Sequence, residues 1–198
     1  MDPQTLTMRL ETPEDEREVE TLTREAFWNH HTPGCDEHYL AHLLRGCPAF
    51  VPELDYVAVD GGRIVGNIMY TKAKIVLDCG GELPVLTFGP ISVSPACQQR
   101  GVGRAMIRHT AALAKAMGHI AILIYGDPAI YSRFGFVAAE SYGIAAGDGC
   151  YRAALQAYEL TPGALQNAAG TFVEDAVFQV DATLSEAFDR LFPPKEKL

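Results

Sequence analysis

Apolar and polar residues alternate in several short segments of the chain, and this alternation predicts most of its strands. Residues 5–11 alternate and predict a first strand. Segments 56–59 and 63–77 are rich in β-branched and aromatic residues, and Asp60-Gly61-Gly62 predicts a hairpin turn between them. Further strands are predicted at 83–93, 120–125, 136–139, 153–159 and 177–180.

Helical spacing of apolar residues appears in other segments. One helix is predicted to begin at Thr12-Pro13, where a hydroxyl residue and a proline precede acidic residues. Others are predicted at 36–45, 101–117 and 185–192, with a helical turn at 128–133. A run of strands followed by a strand–helix–strand unit predicts an α+β fold, in which helices cover both faces of a mixed, mostly antiparallel sheet in a three-layer α/β/α arrangement.

Length and composition fit a globular protein. The 198 residues show no repeat or linker, so we expect a single domain over 1–198, with a core at about 5–139 and C-terminal strands and a helix at 140–198. No apolar run is long enough to cross a bilayer, and the first residues lack an export signal. Five scattered cysteines without a Cys-x-x-Cys pair argue against a disulfide framework or a zinc ribbon. A cytoplasmic protein is expected.

The formal net charge of −9 bears on the class of partner. A nucleic-acid-binding surface must neutralise phosphates with lysine and arginine, and this chain is acidic overall. Nucleic acid is therefore not an expected partner.

The segment with the most chemical information is 88–105, with the sequence FGPISVSPACQQRGVGRA. A predicted strand ends here, and an amphipathic helix begins at Gly101 and Gly103. The first amides of a helix have no partner within the helix, and together with the helix dipole they attract anions. The glycines remove side chains that would keep a diphosphate away from the backbone, and Arg100 and Arg104 add positive charge.

Three phosphate-binding motifs compete for this segment. The chain contains no Gly-x-x-x-x-Gly-Lys-Ser/Thr string, which excludes a Walker loop. The dinucleotide fingerprint Gly-x-Gly-x-x-Gly fails because Met106 stands at its third glycine, and an acidic residue about 20 positions on is also missing. The string Gln98-Gln99-Arg100-Gly101-Val102-Gly103 matches the Gln/Arg-x-x-Gly-x-Gly/Ala signature of the Gcn5-related N-acetyltransferases.

The chain resembles that superfamily (GNAT) in motif order from about residue 5 to residue 139. A second string, Tyr131-Ser132-Arg133-Phe134-Gly135-Phe136, resembles the family's Tyr-x-Lys/Arg-x-Gly-Phe element at the expected distance. The resemblance implies a GNAT-type sheet splayed between its fourth and fifth strands. It also implies acetyl-coenzyme A (acetyl-CoA) as co-substrate and no metal.

The resemblance further implies which residues bind the cofactor. The pantetheine arm is expected to pair with the backbone of the strand that precedes the signature, and the pyrophosphate with the turn after it. The residues so implied are Ile91, Ser92, Val93, Gln98, Gln99, Arg100, Gly101, Val102, Gly103 and Arg104. The amide of Gln98 either binds phosphate or caps the turn. Gly89-Pro90 suits a bulge whose amide faces the thioester oxygen.

Tyr131 is the candidate general acid, since it occupies the tyrosine of the second family element and a departing thiolate must be protonated. Many family members carry an asparagine shortly before this tyrosine, and this chain has no asparagine at that place. Asp127 is instead predicted to cap the short helix that Pro128 begins. The general base cannot be read from the sequence: Glu53, Asp55 or a histidine of segment 30–42 are candidates.

Four of the six histidines lie close together, at His30, His31, His38 and His42. His38 and His42 are four residues apart, so one helical face presents both, which is one way to hold a metal. The interpretation we favour is a polar segment that lines the acceptor site, because the expected chemistry needs no metal.

The predicted activity is the transfer of acetyl from acetyl-CoA to an amine of a small molecule or peptide, by direct attack in a ternary complex. The alternative is a noncatalytic acyl-CoA-binding sensor or regulatory module, which needs the same phosphate-binding turn. No membrane partner is expected, and the oligomeric state stays open, a homodimer included.

Overall fold

The computed structural model describes residues 6–30 and 32–198. The described strands are β1 (Thr7–Leu10), β2 (Tyr56–Asp60), β3 (Arg63–Leu77), β4 (Glu82–Val93), β5 (Ala121–Tyr125), β6 (Val137–Ala138), β7 (Ile144–Ala145), β8 (Leu155–Glu159) and β9 (Gly170–Val173). The described α-helices are α1 (Glu16–Phe27), α2 (Glu37–Arg45), α3 (Val102–Ala116), α4 (Pro128–Tyr131) and α5 (Ala182–Asp189). None of these helices combines the length and the apolar character that crossing a bilayer requires.

The strands form one mixed sheet in the order β1-β2-β3-β4-β5-β8-β6, in which β9 pairs with β3 and β7 with β9. β4 and β5 are parallel, and so are β7 and β9, whereas the other registered pairs are antiparallel. The predicted mixed, mostly antiparallel sheet is therefore confirmed. The chain divides into two units, and β3, β4 and α3 each continue from one into the other.

Unit 1 comprises the described residues of 1–69 together with 89–106 and 176–198. In it β1 pairs with β2, and β2 pairs with the first half of β3, where a register shift at Ala58/Val59 interrupts the ladder. Two apolar clusters join the helices to these strands. The first holds Val19, Leu22, Val57 and Ile64, and the second holds Leu40, Ala41, Leu44 and Met69.

Unit 2 comprises residues 70–88 and 107–175. The second half of β3 pairs with β9 over 74–77 and 170–173, and β5 pairs with β8 over 121–125 and 155–159. The parallel ladder of β4 and β5 contains one described pair, Leu86 with Ile122, which agrees with the predicted splay. The core of this unit includes Ile75, Val85, Leu123, Leu155 and Phe172.

The C-terminal third departs most from the sequence prediction. The strand predicted at 177–180 is wrong, since Ala176–Phe178 form a 3₁₀ helix. Strands β7 and β9 were not predicted. The last helix begins at Ala182 rather than at 185, because the Asp181 carboxylate accepts hydrogen bonds from the amides of Thr183 and Leu184 and so sets its start.

Candidate active site

The turn between β4 and α3 in unit 1 has an unusual backbone. A 3₁₀ helix at Pro95–Cys97 follows β4, and the Ser94 amide ties its start to the carbonyl of Val65 on β3 at 2.9 Å. The φ angles are +60° at Gln99 and +86° at Gly101, both in the left-handed region. The left-handed region is unfavourable for a residue with a β-carbon, such as Gln99. The surrounding structure must therefore hold the turn in this particular conformation.

The two glycines of the signature lie in different environments, and only Gly101 has a backbone conformation that favours glycine. A β-carbon built on Gly101 meets no atom within 4 Å, so the space before this backbone is open, and the positive φ favours glycine there. A β-carbon built on Gly103 lies 3.6 Å from Val93 Cγ2 and 3.9 Å from Ile91 Cδ1. These are ordinary contacts, so position 103 has room for alanine. This agrees with the Gly/Ala choice in the signature.

Amide donors of the turn are available to an anion. The Ala105 amide closes a helical turn onto the Gly101 carbonyl at 2.9 Å, so the amides of 102–104 lie in the first turn of α3. Arg100 and Arg104 are exposed on either side of Gly101. Main-chain donors, open space and positive charge together fit a diphosphate.

The end of β4 is fastened by side chains. The hydroxyl of Ser92, which is buried, donates to Thr23 Oγ1 of α1 at 2.9 Å, and the Gln98 amide nitrogen donates to the Val93 carbonyl at 3.2 Å. The contact of Gln98 is the one expected of a residue that caps the turn. Ile91 and Val93 are half-buried.

Tyr131 lies at the end of α4 in unit 2. The predicted cap of this helix is confirmed, since the Ala129 amide donates to Asp127 Oδ1 at 2.8 Å. The Tyr131 ring is half-buried, with ring centres of Phe88 and Phe136 at 6.1 and 5.5 Å. Burial raises the pKa of Tyr131 to about 12, so the phenol keeps its proton at neutral pH.

Two glycines position this tyrosine. A β-carbon built on Gly126 would lie 2.2 Å from Tyr131 Cε2, so only glycine lets the ring pack against this backbone. Gly135, with a φ of +94°, ends the 3₁₀ helix that follows Tyr131. The next residue, Phe136, enters the core, where it is 2% exposed. The local geometry thus accounts for the Gly-Phe pair of the second motif.

The candidate bases named from the sequence lie in different environments. Glu53 is exposed, whereas Asp55 is buried and accepts a hydrogen bond from the Asn67 amide at 3.3 Å. The same amide donates to Glu11 at 3.0 Å, and Arg45 also binds Glu11. Burial and the nearby Glu11 carboxylate raise the pKa of Asp55 to about 8. Asp55 therefore belongs to a closed network in unit 1.

His38 and His42 have different polar partners, although both rings pack against Phe188. His38 is fully buried, with Nδ1 3.4 Å from Cys35 Sγ and Nε2 3.3 Å from Asp189 Oδ1, and burial lowers its pKa to about 4. His42 is exposed and contacts Glu20 at 3.0 Å. His31 lies outside the described residues. Within the described ranges, no three His, Cys, Asp or Glu side chains are grouped so as to hold a metal.

One acidic residue of unit 2 was not singled out from the sequence. Glu174 follows β9 directly and is half-buried, and burial raises its pKa to about 7. Tyr125, at the end of β5, has its own pKa raised by burial and by the Glu174 carboxylate. The only signal in the sequence is that Glu174 continues the alternation of Gly170 and Phe172.

Comparison with known proteins gives a consistent result. The profile of an acetyltransferase (GNAT) domain matches residues 7–139. The uncharacterized N-acetyltransferase YhbS of Escherichia coli (strain K12) is 27% identical over 164 residues, which are 82% of this chain and 92% of YhbS. The crystal structure of E. coli YhbS with CoA aligns at a TM-score of 0.79 and 25% identity, over 91% of this chain and 96% of that one.

A second solved structure is similarly close. A GNAT family acetyltransferase from Brucella melitensis, in complex with acetyl-CoA, aligns at a TM-score of 0.67 and 26% identity. The alignment covers 87% of this chain and 97% of the Brucella chain. Both alignments therefore extend beyond the part of the chain that the domain profile matches.

Proposed function

The chain belongs to the GNAT acetyltransferase family, and we propose that it transfers the acetyl group of acetyl-CoA to an amine by direct attack in a ternary complex. The observation that carries this proposal is the turn after β4, where open space lies beside Gly101 and the first turn of α3 begins. The solved relatives from E. coli and B. melitensis contain CoA and acetyl-CoA, which supports the same ligand here.

In this proposal the residues from Gln98 to Arg104 hold the pyrophosphate of the cofactor. Backbone amides supply the hydrogen bonds, and Arg100 and Arg104 supply the charge. The backbone of Ile91, Ser92 and Val93 pairs with the pantetheine arm. The Ser92 hydroxyl is already bonded to Thr23, so its side chain holds the strand in place rather than the ligand. Acetyl-CoA supplies an activated thioester.

Tyr131 is proposed to protonate the thiolate that leaves when the amine attacks. A phenol whose pKa burial has raised to about 12 is protonated at every pH at which the enzyme would be assayed. Asp127 at the start of α4 and Gly126 against the ring hold it in position. Replacement of Tyr131 by Phe is expected to lower kcat about 100-fold without changing acetyl-CoA affinity, because general acid catalysis contributes factors of this order.

The acceptor is an amine of a small molecule or of a peptide. The five cysteines are free thiols, which supports a reducing compartment such as the cytoplasm as the place of action. The acidic net charge favours the approach of a protonated amine.

Two measurements test the proposal. In the first, thermal unfolding is followed with acetyl-CoA and with NAD, and only acetyl-CoA is expected to raise Tm, since a ligand stabilises the state that binds it. In the second, a panel of primary amines is screened for acetyl-CoA-dependent release of free thiol. Stabilisation by acetyl-CoA with no thiol release from any amine would contradict the transferase and support the noncatalytic sensor.

A further inference from the structure

One face of the sheet in unit 2 carries polar side chains beyond its apolar core. The core residues Ile75, Leu123 and Phe172 belong to a single cluster and therefore share that face. Side chains two or four positions along a strand return to the same face. This alternation places Thr71 of β3 and Tyr125 of β5 on the face of the cluster. One further step beyond β9 places Glu174 there as well.

One ring contact and the electrostatics of Tyr125 support this placement. The rings of Tyr125 and Phe172 have centroids 6.0 Å apart, although they lie on different strands. After burial, the carboxylate of Glu174 is the largest influence that raises the pKa of Tyr125. Because Glu174 lies two positions beyond Phe172, whose ring contacts Tyr125, it lies close to the same end of β5.

Thr71 gives an independent sign of a missing polar partner. Thr71 is 1% exposed, and its hydroxyl oxygen has no hydrogen-bond partner within the described part of the chain. A buried hydroxyl that stays unpaired is costly, and such groups are rare in native proteins unless a ligand or water completes them. A polar ligand that reaches this face would satisfy Thr71.

The end of β5 also bears the candidate acid. The Tyr131 ring packs against Gly126, the residue that follows Tyr125. The proposed acid and the Tyr125 side chain therefore adjoin successive residues at the same end of β5. Glu174 is half-buried, whereas Asp55, the buried carboxylate considered from the sequence, is closed into its own network.

We propose that Glu174 is the general base of the reaction, and that Thr71 and Tyr125 line the approach of the acceptor amine. The assignment rests on the acetyl transfer proposed above. The Glu174 carboxylate takes a proton from the acceptor nitrogen, whose lone pair forms the new C–N bond. The C–S bond of the thioester breaks, and the sulfur takes the proton of Tyr131. Exchange with water then restores both side chains.

The ionisation of Glu174 suits this role. Burial raises its pKa to about 7, so the carboxylate is both substantially ionised and basic near neutral pH. The charged and titratable groups around Tyr125 on this side are Asp148, which is paired with Arg152, and Glu174 itself. Because the base must be ionised, kcat/KM is expected to rise with pH through about 7 and then to level off.

The test compares Glu174→Gln with the wild type in the full-length protein. Glu140→Gln is the matched control, since Glu140 is an exposed carboxylate of the same unit. Each protein is assayed from pH 5.5 to 9 with two acceptor amines of different pKa taken from the panel. If the rising part, or limb, of the plot of kcat/KM against pH keeps its midpoint when the amine changes, the titrating group belongs to the enzyme rather than to the amine. Acetyl-CoA affinity and Tm are measured alongside, so that a folding defect is recognised.

Glu174→Gln is expected to lose kcat/KM by about 100- to 1000-fold and to lose the limb near pH 7. Acetyl-CoA affinity should stay within about twofold, and Glu140→Gln should behave as wild type. If Glu174→Gln keeps the activity and the limb, the base assignment is overturned and the transferase stands. If the wild type binds acetyl-CoA but acetylates no amine, the transferase and the base assignment fail together. If Glu174→Gln is misfolded, Glu174→Ala replaces it, and a pH limb that persists near pH 7 in that variant overturns the proposal.

Discussion

In the proposals above, the turn after β4 and the end of β9 bind ligands in two different ways. The turn uses main-chain amides, and its shape follows from residues within one short stretch, above all Gly101 with its φ of +86°. The end of β9 would use side chains that are far apart in sequence: Thr71 of β3, Tyr125 of β5 and Glu174, which directly follows β9.

This difference explains how each region depends on the rest of the fold. A backbone site needs a particular conformation and open space, so it is sensitive to any side chain that alters either. A side-chain site needs the register of its strands, here Lys74 with Val173 and Tyr125 with Leu155. Substitutions that alter one region should therefore change cofactor affinity alone, and substitutions in the other should change turnover alone.

The largest expected effect comes from the turn, in Gly101→Val. Valine is strained at a positive φ, and its branched side chain would fill the open space before the backbone. Acetyl-CoA affinity is expected to fall about 100-fold, which corresponds to about 2.7 kcal/mol. Isothermal titration with acetyl-CoA measures the loss.

Gly103→Ala is the matched control for that substitution. Its β-carbon would sit at ordinary distances from Val93 and Ile91, so affinity should stay within about threefold of wild type. Equal affinities for Gly101→Val and Gly103→Ala would contradict a backbone site at this turn. A large loss of Tm in Gly101→Val alone would show that the turn supports folding as well as binding.

A smaller effect is expected from Gly126→Ala in unit 2. The new β-carbon would lie 2.2 Å from the Tyr131 ring, so the ring must move. Since a displaced acid transfers its proton poorly, kcat should fall about 10-fold while acetyl-CoA affinity stays unchanged. Steady-state kinetics on the most active amine, together with titration of acetyl-CoA, check the two halves of this expectation. A kcat equal to wild type would mean that Tyr131 needs no fixed position.

The sequence predicted a helix or strand accurately where its pattern of apolar and polar residues is long and involves only neighbouring residues. The bounds of β3 were predicted to the residue, and α2 begins one residue later than expected. The helix after the signature was also predicted closely, since α3 begins at Val102, one residue after the predicted start. Phosphate binding by residues Gln98 to Arg104 stays a prediction.

The sequence did not predict the end of β9. The strand has four residues, too few for a clear alternation, and its pairing with β3 is a long-range contact. Segment 177–180 is richer in β-branched and aromatic residues, but Val177, Phe178 and Val180 pack against the cluster of Leu40, Ala41, Leu44 and Met69, and the segment forms no strand. Glu174 was missed because its raised pKa depends on burial, which only the folded chain provides.

The smallest expected effect is that of Gln98→Ala, which separates the two roles left open for this amide. Its contact with the Val93 carbonyl at 3.2 Å is an exposed hydrogen bond, and such a bond contributes about 1 kcal/mol at most. If Gln98 only holds Val93, whose backbone is proposed to pair with the pantetheine arm, both acetyl-CoA and acetyl-pantetheine should bind about twofold to threefold more weakly. Acetyl-pantetheine lacks the pyrophosphate. If the amide contacts phosphate, only acetyl-CoA should lose affinity, and by about 10-fold. Competition titrations with both ligands decide between these roles. We expect the equal, small loss, because the donor is already used by the backbone that the turn must hold in place.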